Sequence, residues 1–367
     1  MLTETLFAKS RSEDFMKLKL IALSFVLGMA TVASAAADKV IGYFPYWSQY
    51  SQFAPKDIRY NMVTHIHYVS LSPASDGSLA FADDNDAENF KELAKLSSEN
   101  NVKLIVTVGG MEQEGTLSEI AALEETRDAF VANLASWLEE NGAVGIELDW
   151  QNLSSENAEA FGTLVRAIKD RFAGKFEFSV ATYPLSSADA YNAESLNAAD
   201  YITVFVPDQM TEENSELKPN QSVSVFEEAM GALVSKGVEK DKIVPVVFFY
   251  GKSFTGAKAL GEAQTGIGSG NEGILSYQEL MKKFDTPDYK VSFDETTKSE
   301  IAVSEMDAIV FMGIPSVKAL ADLVKSEGYA GVAAYDLSQD YAEPIVSLLV
   351  TIGLELRPDV NYKAKKK

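Results

Sequence analysis

The stretch Ala143-Val-Gly-Ile-Glu-Leu-Asp-Trp-Gln-Asn152 decides the fold. It reads as a short strand, and because successive strand side chains alternate faces, positions 145, 147, 149 and 151 share one side. That side carries Glu147, Asp149 and Gln151. Working outward, seven more apolar β-rich runs lie along the chain: Val40–Phe44, Thr64–Leu71, Lys103–Val108, Phe176–Thr182, Tyr201–Val206, Ile243–Phe249 and Gly331–Asp336. With Val144–Asp149 they make eight. Helical stretches fall between most of them, at Ala87–Glu99, Leu117–Glu140, Glu156–Phe172, Ser224–Lys236 and Ser316–Ser326, with another at Tyr341–Leu354. This alternation predicts an α/β fold, a (β/α)8 TIM barrel, whose working residues sit at the C-terminal strand ends. The gap before the last strand is too long for one helix, so residues 253–303 are expected to form a small α+β insertion, with a helical piece at Tyr277–Lys283 and a strand at Tyr289–Phe293.

Composition narrows the classes. Residues 16–35 have the form of an export signal: Met16, the basic Lys17 and Lys19, an apolar run from Leu20 to Met29, and small residues ending Ala33-Ser34-Ala35. Cleavage after Ala35 is expected, and the location is secreted or periplasmic. The apolar run is too short to span a bilayer. Residues 1–15 precede a plausible start at Met16 and stay outside the fold, leaving 36–367 as the barrel domain. The chain's formal charge of −22 makes nucleic acid and anionic membrane poor partners. It holds no cysteine, which excludes disulfides and a thiol nucleophile and suits a bacterial export route.

The segment around Glu147 resembles the fourth-strand motif Asp-x-x-Asp-x-Asp-x-Glu of glycoside hydrolase family 18, the chitinases and their relatives. Val144, Glu147, Asp149 and Gln151 occupy its four positions. The resemblance spans nearly the whole chain after the signal, from Val40-Ile-Gly-Tyr-Phe-Pro-Tyr-Trp47 to Ala334-Tyr-Asp-Leu-Ser-Gln-Asp340. Leu104-Ile-Val-Thr-Val-Gly-Gly110 is similar to the family's third-strand Ser-x-Gly-Gly motif, with Thr107 for Ser. Arg127 and Phe130, Phe249–Phe254 and Gly273–Tyr277 add further matches in order. It implies a substrate-assisted hydrolysis, in which the sugar's own acetamide oxygen attacks the anomeric carbon. The terminal Glu of the motif donates the proton, the preceding Asp orients the acetamide N–H, and a sixth-strand Tyr holds the acetamide carbonyl. No cofactor is implied.

Against that pattern Asp149 survives, Gln151 stands where the acid would be, and Pro207 of Phe205-Val-Pro-Asp208 stands where the Tyr would be. An amide has no proton to deliver at ordinary pH. Losing a positioned general acid costs roughly 10² to 10⁴ in rate, or about 3 to 5 kcal/mol. Glu147 lies two residues before Asp149, about 6.6 Å deeper along the strand than that residue, too far down to take over. Aromatic residues at or just past strand ends, Tyr43, Trp47, Trp150, Tyr183, Tyr250 and Tyr335, are candidate sugar-stacking platforms, and Gly110 is a candidate contact beside them. The last ring stands where the family has a tryptophan floor. His65 and His67 share a strand face but lack a third ligand, so no metal is expected.

The reading favoured by these residues is a chitinase-like protein that binds N-acetylglucosamine-containing oligo- or polysaccharides and hydrolyses them poorly or not at all. Two others stay open. One is a working chitinase or endo-β-N-acetylglucosaminidase using Asp208, Glu112 or Glu114 as a displaced acid. The other is a secreted barrel that binds a protein partner, because Ser70, Val206 and Pro207 make its mouth unlike a sugar site.

Overall fold

In the computed structural model the eight apolar runs close into a barrel; it describes residues 37–83, 85–206 and 215–361. The expected signal segment, Pro207 and Asp208 lie outside these residues. The barrel strands are β1 (Lys39–Pro45), β2 (His65–Pro73), β3 (Lys103–Gly109), β4 (Gly145–Asp149), β5 (Glu177–Thr182), β6 (Tyr201–Val204), β7 (Ile243–Phe248) and β8 (Gly331–Tyr335). Each pairs in parallel with its sequence neighbours, and β1 pairs with both β2 and β8, which closes the ring. The strands are apolar on both faces because one face fills the barrel and the other lies under helices. All five residues of β4 are buried, including Glu147 and Asp149. Among the described residues no helix is long and apolar enough to cross a membrane.

Two helices differ from expectation. The predicted Leu117–Glu140 helix is two helices, Glu114–Ala122 and Glu124–Asn141, broken at Leu123, whose backbone is extended (φ −110°, ψ 130°). Leucine carries no break signal of its own. The break is held by side chains of the second helix: Thr126 Oγ1 donates to the carbonyls of Ile120 and Leu123, and Arg127 Nη1 donates to that of Ala121 at 2.8 Å. The bonds to Ile120 and Ala121 reach carbonyls in the last turn of the first helix, where its own backbone supplies no further N–H. The predicted Tyr341–Leu354 helix starts only at Leu348 and runs to Leu356. Asp340 accepts from the backbone N–H of Tyr341, Leu348 and Leu349 and from Ser347 Oγ, which folds residues 341–347 into a loop around its carboxylate.

Between β7 and β8 stands an antiparallel sheet of six strands. Its central strand, Tyr250–Thr255, leaves β7 directly and pairs with Ala308–Phe311, Gly266–Ile267 and Ile274–Ser276; Ser299–Val303 and Lys290–Asp294 extend it outward. The sheet is wider than residues 253–303, because its central strand starts before that span and Ala308–Phe311 belongs to it too. The helix Tyr277–Phe284 opens on a capping box between Ser276 and Glu279. Asp307 is the knot of this unit. Its Oδ2 accepts from Ser253 Oγ (2.7 Å) and from the N–H and Oγ of Ser269 (3.1 and 2.6 Å), and its Oδ1 accepts from Tyr289 and Ser304 hydroxyls (2.8 Å each). Burial alone would raise this carboxyl, but the donors hold it well below the usual carboxylate range. Replacing Asp307 with Ala strands those donors, and we predict a loss of about 3 kcal/mol in urea denaturation, with Asp307→Asn losing less. An unchanged midpoint for Asp307→Ala would contradict this role.

Candidate active site

Two polar layers stack along the inner face of β4. The lower one surrounds Glu147. Its Oε1 accepts from the hydroxyls of Tyr43 on β1 (2.8 Å) and Thr203 on β6 (2.6 Å), and its Oε2 accepts from Thr107 on β3 (3.0 Å). His67 Nδ1 on β2 lies 3.2 Å from Oε2, an ion-pair distance without hydrogen-bond geometry, while His67 Nε2 is 2.7 Å from the Tyr201 hydroxyl. Burial alone would raise the Glu147 carboxyl, but His67 and the hydroxyls of Thr203 and Tyr43 outweigh it and hold the group below its ordinary value. Burial first, and then the same carboxylate, push the Tyr43 phenol far up and keep it protonated.

The upper layer is Asp149, two residues on and at the barrel mouth. Its Oδ1 accepts from the Tyr183 hydroxyl at 2.7 Å and its Oδ2 from Gln151 Nε2 at 3.0 Å. Burial pushes the Asp149 carboxyl up to about 6, with Tyr183 and Gln151 pulling the other way. The loop after β3 passes close by: Gly110 N–H donates to the Asp149 carbonyl at 2.8 Å. Gly109 has φ +105°, and a Cβ there would meet that carbonyl oxygen at 2.4 Å, so only glycine fits. At Gly110 a Cβ would find one atom within 4 Å, Asp149 Oδ2 at 3.7 Å, which leaves open space beside the carboxylate.

Above these layers the rings join. Tyr183 stacks on Phe205 (centroids 5.3 Å apart, 21° between planes), and Phe248 stacks on Tyr250 (5.0 Å, 10°). Phe205 also meets Tyr43, Phe248 and Tyr335 at 5.7, 6.4 and 6.0 Å. Of the expected platforms, Tyr183, Tyr250 and Tyr335 are partly exposed members of this sheet of rings, and Trp47 is 37% exposed just past β1. Two are not platforms. Tyr43 is buried under the layer as a donor to Glu147, and Trp150 points outward from the barrel into the core against Phe161. The alternation that aims Glu147, Asp149 and Gln151 inward aims Trp150 the other way.

Phe205 and Phe248 join the site without having been singled out by the sequence; their signal is their place at or beside the C-terminal ends of β6 and β7. His65 and His67 are spent on protein partners, His65 Nε2 lying 2.9 Å from Glu177 Oε1. Of the candidate displaced acids, Glu112 is exposed with φ +66°, and Glu114 Oε1 accepts from Asn152 Nδ2 at 3.4 Å.

The chain belongs to the glycosyl hydrolases family 18, whose model matches residues 39–340. Among its relatives is the chitinase-like mite allergen Der f 18.0101 of Dermatophagoides farinae, 23% identical over 88% of this chain and 75% of that protein. The fold matches the group IV chitinase of Ostrinia furnacalis in complex with allosamidin, with TM-score 0.81 and 21% identity over 88% of this chain and 100% of that one. It also matches a Glu-to-Gln mutant of the class V chitinase of Nicotiana tobaccum in complex with NAG4, with TM-score 0.80 and 18% identity over 87% and 99%.

Asp149 is held in a state that burial disfavours, and this has a measurable sign. Its folded pKa is raised, so the folded chain binds more protons than the unfolded one between the ordinary carboxylate value and about 6. Its stabilising contribution is therefore complete below the ordinary value and is lost as pH rises through about 6, a cost on the order of 2–3 kcal/mol at pH 8. An asparagine side chain in its place carries no charge to bury, and both neighbours can turn to meet it. Asp149→Asn should unfold at higher urea than the parent at pH 8 and at the same urea near pH 4. Equal midpoints at both pH values would show that burial does not strain this carboxylate.

Proposed function

We propose that this protein binds N-acetylglucosamine-containing oligosaccharides across its barrel mouth and hydrolyses them poorly or not at all. The observation that carries the reading is the Gln151–Asp149 hydrogen bond: at the position that resembles the family's acid, a carboxamide donates at 3.0 Å to the carboxylate below it. That group can hold a glycosidic oxygen by hydrogen bonding but cannot protonate it. Glu147 does not replace it, being buried under the ring layer with both oxygens engaged. The ring layer offers flat apolar faces with polar groups at their edge, the surface that stacks on pyranose rings. The similar tobacco structure pairs a Glu-to-Gln change with NAG4, and the similar Ostrinia structure holds allosamidin, which supports a saccharide occupant.

We read residues 16–35 as an export signal, so the protein acts outside the cytoplasm, secreted or periplasmic. The acidic balance of the chain is compatible with a neutral glycan and opposes nucleic acid. Calorimetric titration with chitotetraose tests the function. Saturating heats that return to baseline after each injection are expected. Sustained heat would mean turnover by a displaced acid such as Glu114, and no heat would point to a protein partner at the mouth.

A further inference from the structure

If the mouth is a saccharide site, as proposed above, the charges around it narrow the class of saccharide. The segments 74–83, 110–113, 150–157, 183–192, 215–222 and 336–347 follow β2, β3, β4, β5, β6 and β8 in turn, on the mouth side of the barrel. Nine of their side chains are acidic and one, Lys218, is basic. The segments that lead into β2–β8 at the other end (54–64, 100–102, 142–144, 173–176, 199–200, 236–242 and 328–330) hold six basic side chains and four acidic. The negative charge is therefore gathered on the mouth side, and a cleft with walls of one sign focuses its field on what enters.

The partners of the carboxylates follow the same division. At the closed end Lys103 pairs with Glu177 (2.5 Å), Lys169 with Asp200 (2.7 Å) and Lys240 with Glu327 (2.6 Å). On the mouth side the carboxylates accept from neutral groups: Asp83 from Tyr50, Asp336 from Gln339, and Asp149 from Tyr183 and Gln151. Such bonds satisfy lone pairs without cancelling charge. Burial first, and then Glu147 below it, disfavour the ionised form of Asp149.

A cation brought by the ligand would answer both effects. An ammonium has three donors and no acceptor, so it asks for no second partner of the opposite kind, as an acetamide does. A carboxylate has about four acceptor positions, of which Tyr183 and Gln151 use two. Open space beside Oδ2, over Gly110, gives the group a way in. Ring faces that stack on a pyranose also attract a positive charge, and Tyr183, Tyr250 and Tyr335 are partly exposed in that layer. We propose that the mouth prefers amino sugars to their N-acetylated counterparts, with the ammonium of a deacetylated glucosamine unit held against Asp149. The natural occupant is then a partly deacetylated chitin chain.

The test is a calorimetric titration with chitotetraose and with the glucosamine tetramer at pH 6, below the values at which amines lose their proton. We expect the glucosamine tetramer to bind roughly tenfold more tightly at low salt, with the preference shrinking at high salt. Asp149→Asn keeps the shape and removes the charge, and most of the preference should go with it. Chitotetraose binding as tightly as the glucosamine tetramer, or more tightly, would overturn the inference while leaving the mouth a saccharide site. Full preference in Asp149→Asn would overturn it too, because the cation would then be held elsewhere. Tetralysine carries the charge without the pyranose faces, and equally tight binding of it would reduce the effect to net charge and overturn the inference as well. If the wild-type protein binds neither tetramer, the saccharide reading itself fails and takes this inference with it.

Discussion

A charged carboxylate buried at the axis of a barrel must be satisfied from several directions at once, and Glu147 is satisfied from four strands. Tyr43, His67, Thr107 and Thr203 reach it from β1, β2, β3 and β6. An unpaired charge there would cost several kcal/mol, so these side chains cannot be exchanged one at a time for apolar ones. The ring of donors ties opposite sides of the barrel together. It also holds β4 in the register that carries Asp149 to the mouth on the same face.

Asp149 inherits its character from that arrangement. Pressed between the buried Glu147 layer and the rings above, it is pushed toward its neutral form, and Tyr183 and Gln151 pull it back. A catalytic pair would pass a proton between residues 149 and 151. Here the second partner is an amide, so the pair is static: a fixed acceptor flanked by two donors, under an aromatic ceiling. Such a site offers polar groups at the edge of stacked rings, which is what the proposed binding role needs. Belonging to a hydrolase family fixes the scaffold, whereas the reaction depends on which side chains stand at a few strand ends.

The barrel was legible because its information is redundant: eight apolar runs, most of them separated by a helical stretch and each readable by itself. Glu147, Asp149 and Gln151 were legible because a period of two is strict within a strand. The same rule, applied to the residue between the last two, sends Trp150 outward, although its aromatic character suggests a platform. The break at Leu123 was hidden because what stabilises it, Thr126 and Arg127 reaching back to carbonyls, is tertiary in nature although local in sequence. The edges of the insertion were hidden for another reason. An apolar run such as Ala308–Phe311 looks alike whether it joins a barrel or a second sheet. Phe205, Phe248 and the partners of His67 were not legible at all, since their roles come from rings and hydroxyls contributed by strands far apart in the chain.

The central claim, that Gln151 and Asp149 hold a sugar chain without cutting it, is tested most directly by crystals of the protein soaked with chitotetraose. The account predicts an unbroken tetramer across the mouth, with an acetamide against Asp149 and Gln151 within hydrogen-bonding distance of a glycosidic oxygen. Cleaved disaccharides in that position, or density for sugar anywhere but the mouth, would contradict it.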